Sequence, residues 1–276
     1  MGIDTTTMRY TLALILVTLL PLWALPQGKI GAFVGVGTAF YMGDLKETVL
    51  PNPATVRWTV DAGLHWQITK RWGLQLNYTL SELVGSDQYA ESDKKRARDL
   101  RFRSLNHDIS LRGTFDILRN DRWKFLPYIT AGVGALNFEP ERDGVALRPL
   151  ATEGVAYSNW TVSFPTGIGL KYQINCNWNL KAEGVYHWTL TDYLDDVSGA
   201  YPANEVPFYT DPGNVSPPRD MRGDPAQKDG YWDINIGVIY YFWGCKKRSN
   251  LEDCNELYKN FTPEMRKMME PGYSPN

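Results

Sequence analysis

The chain has 276 residues, a net charge of -2 and a pI near 6.0, so it has no overall basic field that would attract nucleic acid. Its aromatic content of 13% includes 10 Trp and 16 Tyr, beside 24 Gly and a mean hydropathy of -0.36. Such a composition favours strands and turns over helices.

Residues 1–27 have the pattern of a signal peptide. Arg9 precedes an apolar run from Leu12 to Leu25, which is shorter than the ~20 residues that span a bilayer as a helix. Asp4 interrupts the region before it, which makes Met8 an alternative start, and cleavage is expected after Ala24 or near Gln27. We therefore predict an exported protein.

From residue 28 onwards, apolar residues recur with period two, in eight segments long enough for tilted membrane strands of ~9 to 11 residues. In the second segment, for example, Trp58, Val60 and Leu64 alternate with Thr59 and Asp61. The segments start near residues 30, 56, 74, 105, 125, 160, 178 and 231. We predict an all-β fold, an eight-stranded antiparallel up-and-down transmembrane β-barrel over residues 28–243.

The charged residues indicate which face of each strand points inward. A Lys or Arg that faces lipid near the bilayer midplane costs roughly 2 to 4 kcal/mol, so the polar faces should line a narrow lumen filled by paired charges. The predicted lumen charge network consists of Arg57, Asp61, Asp108, Arg112, Lys171, Lys181, Glu183 and Asp233. This prediction argues against a porin. The alternative is a soluble lipocalin-like barrel or sandwich whose core is the apolar face.

The connections between segments alternate between short and long, as in membrane barrels with tight periplasmic turns and larger outer loops. The short ones fall near residues 69–71, 118–122 and 175–177, and the long ones near 43–54, 84–100, 139–156 and 191–230. Both termini should therefore lie in the periplasm, on the side of the short turns. The predicted aromatic girdles contain Trp66, Trp72, Trp123, Trp178, Trp232 and Trp243.

Residues 244–276 form a polar segment, which we predict to be a periplasmic C-terminal tail with one short helix over Pro263–Met269. All three cysteines fall on the predicted periplasmic side, where disulfides persist. Cys176 could pair with Cys245, or Cys245 with Cys254. Either pairing leaves one thiol, which is either unpaired or available to a partner chain.

The sequence contains few signs of catalytic or metal chemistry. His65, His107 and His187 lie on three different predicted strands, which argues against a zinc site. His187 precedes Asp192 and Ser198 in a polar loop, but neighbouring polar residues of this kind arise easily by chance. We therefore predict no catalytic, cofactor-binding or metal-binding residues, and no enzymatic activity.

The loop after the seventh segment has the sequence TDYLDDVSGAY over Thr191–Tyr201, and Arg222–Pro225 follows as RGDP before the last strand. This pattern resembles the PorG family, outer-membrane barrels associated with the type IX secretion system of the Bacteroidetes. In the loop we expect a constrained turn in which Asp195 and Asp196 accept hydrogen bonds from backbone N–H groups and Gly199 adopts a positive φ. The family loop motif comprises Asp192, Tyr193, Leu194, Asp195, Asp196, Val197, Ser198 and Gly199.

The resemblance implies a structural role, in which the barrel anchors the periplasmic ring of PorK and PorN to the outer membrane. The C-terminal tail would suit such a contact. Two other functions fit the predicted barrel. One is a stand-alone surface barrel for adhesion or envelope integrity, and the other is a lipid-modifying enzyme that depends on His187 or Ser198.

Overall fold

A computed structural model describes residues 28–45, 52–118, 124–202, 208–216 and 219–244. The described residues contain one short helix, α1 (Asp93–Arg98), and 3-10 turns at Pro53–Thr55, Asp87–Tyr89 and Arg148–Leu150. The strands are β1 (Lys29–Met42), β2 (Arg57–Gln67), β3 (Trp72–Ser86), β4 (Arg101–Asp116), β5 (Phe125–Asn137), β6 (Pro140–Arg142), β7 (Val145–Ala146), β8 (Trp160–Gln173), β9 (Trp178–Thr189) and β10 (Gly230–Trp243).

The eight long strands form one closed antiparallel barrel, which confirms the predicted fold class. Each strand pairs with the next long strand along the chain, and β10 returns to pair with β1. The seam between the first and last strands keeps one register from Gly31 to Met42, with Gly35 opposite Gly237 and Phe40 opposite Trp232. The short β6–β7 hairpin continues the edge of β4 beyond the barrel.

The outer wall is apolar and the interior is polar. Val36, Ile168 and Ile236 on the outer wall are 63%, 70% and 68% exposed, whereas Arg112 and Lys171 in the lumen are 1% exposed. A soluble barrel has the opposite arrangement, so the lipocalin-like alternative is wrong. No helix among the described residues combines the length and the apolar character needed to cross a bilayer.

The two ends of the barrel differ. At one end, here called the turn end, lie the short turns and the described chain ends; at the other, the loop end, lie the long connections. At the loop end β3 continues to Ser86, although residues 84–100 were predicted to be a loop, and β4 starts at Arg101, before the predicted segment start near residue 105. The strands extend further because Leu83 and Phe102 point inward into an apolar core.

This apolar core closes the loop end. We call the core, together with the described connections that pack on it, the loop cap. Tyr157 and Tyr193 stack with ring centroids 4.5 Å apart and pack against the core. The core consists of Ala39, Tyr41, Leu45, Leu83, Leu100, Phe102, Leu136, Phe138, Leu147, Leu194, Val197 and Tyr231.

Several predictions concern residues outside the described ranges. These are the signal peptide over residues 1–27, the girdle position Trp123, and the C-terminal tail beyond Gly244 with its short helix over Pro263–Met269. They remain predictions.

Candidate functional site

The centre of the lumen holds four charged side chains and one tyrosine that contact one another. Lys181 Nζ lies 2.7 Å from Asp61 Oδ2 and 3.6 Å from Glu183 Oε2. Arg112 Nη1 donates to Glu183 Oε1 over 2.7 Å, and the Tyr128 hydroxyl donates to the other oxygen of this carboxylate. All five side chains are buried. Because a buried charge without its partner is strongly destabilising, each member depends on the others.

A second group lies nearer the loop end, around His187. Its Nε2 is 3.0 Å from Asp233 Oδ2 and its Nδ1 is 3.6 Å from Asp108 Oδ2. The Ser163 hydroxyl donates a hydrogen bond to Asp108, and the imidazole stacks on the Tyr231 ring at a centroid distance of 4.3 Å. His187 is therefore held between two carboxylates inside the barrel.

A third group fills the lumen towards the turn end. Lys171 Nζ lies 2.6 Å from Asp116 Oδ1, and the Gln67 side chain bonds to both residues, over 3.4 Å to Lys171 and 3.3 Å to Asp116. His65 Nδ1 lies 2.7 Å from the Tyr241 hydroxyl. The cavity at this end has a volume of about 10 Å³, which is room for about one water molecule.

The structure places seven of the eight residues of the predicted network inside the lumen. Arg57 is separate from them: its side chain is 35% exposed at the loop end, and its Nε lies 3.6 Å from Glu82. Asp116 and Tyr128 were not predicted to belong to the network. Asp116 has the same strand parity as Asp108 and Arg112, so the alternation in β4 contained the signal for it.

In the loop cap, one tyrosine joins two aspartates of different connections. The Tyr41 hydroxyl lies 2.7 Å from Asp195 Oδ2 and 2.5 Å from Asp229 Oδ1. Burial is the main cause that raises the pKa of both carboxyls well above the ordinary value. Asp229 also accepts a hydrogen bond from the backbone N–H of Leu194 over 3.0 Å, which fixes the start of the family loop motif.

Arg222 and Glu153 hold the second half of the motif. Asp196 accepts hydrogen bonds from Thr152 Oγ1 at 2.5 Å and from the Tyr157 hydroxyl at 2.7 Å. Arg222 Nη2 lies 3.5 Å from Asp196 Oδ2, and its Nη1 lies 3.2 Å from Glu153 Oε1. Glu153 in turn accepts the backbone N–H groups of residues 198 and 199 over 2.9 Å and 2.8 Å.

The expected turn differs from the observed one in two respects. Asp195 accepts a hydrogen bond from the backbone N–H of Val197 at 2.9 Å, as expected, whereas the described partners of Asp196 are the two hydroxyls and Arg222. The positive φ, 66°, belongs to Asp196 and not to Gly199. Hydrogen bonds from distant segments hold Asp196 in this conformation.

The carboxyls of the loop cap predict a pH dependence. Burial raises the pKa of Asp192 to about 6. Since this folded-state pKa lies above the unfolded value of ~3.9, the stabilising contribution of Asp192 is complete below pH ~4. It is lost as the pH rises through about 6. We expect protease cleavage within residues 191–229, measured relative to the unfolded protein at each pH, to be severalfold faster at pH 8 than at pH 5.

An Asp192→Asn variant tests this assignment. It keeps the shape of the side chain and removes the titrating group, so the difference in cleavage between pH 5 and pH 8 should shrink. Because the pKa values of Asp195 and Asp229 are also raised, part of the pH dependence of cleavage should remain at higher pH. An unchanged pH profile in the variant would exclude Asp192 as its source.

Cys176 is disulfide-bonded in the structure. Because the chain has three cysteines, this bond uses Cys245 or Cys254, and the predicted alternative of a bond between those two is wrong. The partner of Cys176 lies outside the described residues. On gels without reductant, we expect Cys176→Ser to migrate like the reduced protein. One of Cys245→Ser and Cys254→Ser should do the same and thereby identify the partner, while the other migrates like the oxidised wild type. Identical migration of all three variants and the wild type would contradict the bond.

The structure does not bring the possible catalytic residues together. His187 contacts Asp108, Asp233 and Tyr231 in the lumen, whereas the backbone of Ser198 bonds to Glu153 in the loop cap. Within the described ranges, no hydrogen bond joins His187 to Ser198. No group of three or more potential metal-binding side chains occurs in that part of the chain either.

Comparison with known families decides the class of the protein. A family model described as "Outer membrane protein beta-barrel domain" matches residues 11–211, more than half of the chain. The chain belongs to this outer membrane protein β-barrel domain family. As a member of the family, the protein lies in the outer membrane with its apolar wall in the lipid bilayer. No curated protein matches the chain.

The solved structures similar to this family member include outer-membrane proteins. Neisserial surface protein A has 10% identity and a TM-score of 0.46, with 79% of this chain and 100% of that chain covered. Ail of Yersinia pestis has 12% identity and a TM-score of 0.40, with the same coverage. OprG from Pseudomonas aeruginosa has 12% identity and a TM-score of 0.37, over 78% of this chain and 97% of that one. At these identities and TM-scores, none of them indicates a function for this chain.

Proposed function

We propose that the protein is a structural outer-membrane component of the type IX secretion system, which anchors the periplasmic ring complex to the outer membrane. The observation that carries this proposal is the filled barrel. Paired charges occupy the described lumen from Asp116 to His187, and the loop cap lies over one end. A barrel without an open lumen acts through its surfaces, as a membrane anchor does.

The family loop motif supports the proposal through its structural role. Leu194 and Val197 are buried in the apolar core, and Asp195 and Asp196 join the motif to β1 and to the connection between β7 and β8. The motif thus encodes the loop cap, and partner contacts fall elsewhere. The turn end, where Cys176 lies, and the predicted tail over residues 244–276 are the surfaces that we assign to PorK and PorN, with both termini in the periplasm.

Recovery of partners from gently solubilised envelopes tests this function. The tagged full-length protein should bring down ring proteins of the PorK and PorN type, identified by mass spectrometry. A variant without residues 245–276 should recover far less of them while its barrel keeps the heat-modifiable gel migration of a folded barrel. Unchanged ring recovery and secretion in that variant would exclude the tail as the contact. Recovery of the barrel alone from the wild type would contradict the anchor function.

The compact loop cap favours a stand-alone surface barrel as the second candidate, because such a barrel presents ordered loops to a surface ligand. Loss of the protein would then impair adhesion or envelope integrity and leave type IX secretion intact. The lipid-modifying enzyme is the weaker candidate, since His187 is fully buried. It would require a lipid-modifying activity that His187→Gln or Ser198→Ala abolishes in a folded barrel.

A further inference from the structure

The outer wall of the barrel changes from apolar to charged at one height on β4. Leu111, Ile109 and Leu105 point outward and are 48%, 52% and 45% exposed. The next outward positions towards the loop end are Arg103 and Arg101, whose side chains are 62% and 51% exposed. Two residues of an extended strand, about 7 Å, therefore separate an apolar surface from an arginine surface.

The neighbouring strands carry an acidic and an aromatic side chain at this height. The outward residues of β3 change from Leu80 to Glu82, which lies opposite Leu105 in the register. Trp58 of β2, which is 44% exposed, donates its indole N–H to Glu82 Oε2 over 2.6 Å. An aromatic side chain with an apolar body and a polar contact is typical of the bilayer interface. This height therefore marks the edge of the hydrocarbon layer.

A cleft of about 460 Å³ opens on the outer wall immediately above this edge. We call it the arginine cleft. The charged side chains that line it are Arg57, Arg101, Arg103 and Arg142, with Glu82, Glu141 and Asp143. Arg142 is buried and pairs with Asp99, which does not line the cleft, so the three acids of the cleft face three other arginines.

The arginines of the cleft are held in place but retain donors. Glu82, with 10% side-chain exposure, lies 2.9 Å from Arg103 Nε and 3.6 Å from Arg57 Nε. Arg103 Nη1 is 3.8 Å from Glu141, and Arg101 Nη2 is 3.4 Å from Asp143. Exposed ion pairs at such distances contribute little to stability. Since each guanidinium has five N–H donors, these two side chains can still bind a phosphate in a bidentate manner.

We propose that the arginine cleft binds the phosphate of a phosphorylated glycolipid of the lipid A type in the membrane leaflet at the loop end. A lipid fits better than a soluble anion because Leu105 and Ile109 are exposed on the strand that carries Arg101 and Arg103, so acyl chains would lie against them while the headgroup meets the arginines. The inference rests on the proposed orientation, with both termini in the periplasm and the loop end at the outer leaflet.

The test uses the full-length protein in phosphatidylcholine nanodiscs, with native mass spectrometry to count bound lipid. The wild type should bind diphosphorylated lipid A about tenfold more tightly than its dephosphorylated form. R101Q/R103Q should lose most of this preference. K94Q/R96Q removes two charges from exposed side chains of α1, which do not line the cleft, and should stay within about twofold of the wild type.

Three outcomes would overturn the inference. Equal wild-type binding of the two forms of lipid A would exclude recognition of phosphate. Tighter binding of phosphatidylglycerol than of lipid A would assign the cleft to a phospholipid leaflet and reverse the proposed orientation. Binding of a soluble heparin oligosaccharide as tightly as lipid A, and its loss in R101Q/R103Q, would make the cleft a polysaccharide site.

The wild-type comparison needs no variant, so the inference stays testable if R101Q/R103Q fails to show the gel migration of a folded barrel. R103K then serves as the second variant, since it keeps the charge but loses the planar fork and should reduce the preference for phosphate in part. No secretion component enters the assay, so a negative result here is distinct from failure of the ring-anchor function.

Discussion

Replacement of Arg112 by Met should lower the free energy of unfolding of the barrel by about 3 to 5 kcal/mol. The guanidinium is buried and donates to Glu183, which is also buried, over 2.7 Å. Without it, Glu183 depends on Lys181 alone for its positive partner, and Lys181 is already bound to Asp61 at the shorter distance of 2.7 Å. Denaturant unfolding in lipid vesicles, followed by heat-modifiable gel migration, measures the loss.

Two further variants show whether burial is the reason for the loss of stability in Arg112→Met. Arg101→Met removes an exposed arginine of the same strand, whose pair with Asp143 spans 3.4 Å, and should cost less than about 1 kcal/mol. In R112M/E183Q the uncompensated carboxylate is gone while an acceptor for Tyr128 remains, so much of the loss should be recovered. Equal losses in Arg112→Met and Arg101→Met would show that the lumen pairs contribute no more than surface pairs.

The interior of the barrel was predictable because a strand whose charged side chains face lipid has a direct energetic cost. A shift of one residue would turn Arg112 and Asp108 towards lipid, so the alternation in β4 determines which side chains face the lumen. Parity says nothing about how far along the axis a side chain reaches. Arg57 has the inward parity of β2 but lies at the loop end, where it extends to Glu82.

The loop cap was not predictable in the same way, because its contacts join distant parts of the sequence. Tyr41 on β1 bridges Asp195 and Asp229, and nothing in the local sequence of any of the three indicates the others. The polarity of the strands also reverses at the loop end, where Leu83 and Phe102 point inward. A prediction that places polar residues in the lumen therefore ends β3 too early, at the position where this polarity reverses.

Replacement of Arg222 by Met should loosen the loop cap and leave the barrel intact. Its buried guanidinium contacts Asp196 and Glu153, and Glu153 in turn holds the backbone N–H groups of residues 198 and 199. Two buried carboxylates would lose their cation, at a local cost of about 3 to 5 kcal/mol. Since protease sensitivity follows the population of the open form, cleavage within residues 191–229 should accelerate by roughly a hundredfold.

The matched control is Arg219→Met, which changes an exposed arginine of the same connection and should leave the cleavage rate within about twofold of wild type. Heat-modifiable migration of Arg222→Met should match that of the wild type, because the lumen groups around Lys181 and Lys171 bond to strand residues and not to Arg222. If Arg222→Met unfolded the barrel as readily as Arg112→Met, the loop cap and the barrel would form one cooperative unit, and the loops could not open independently to meet a surface ligand.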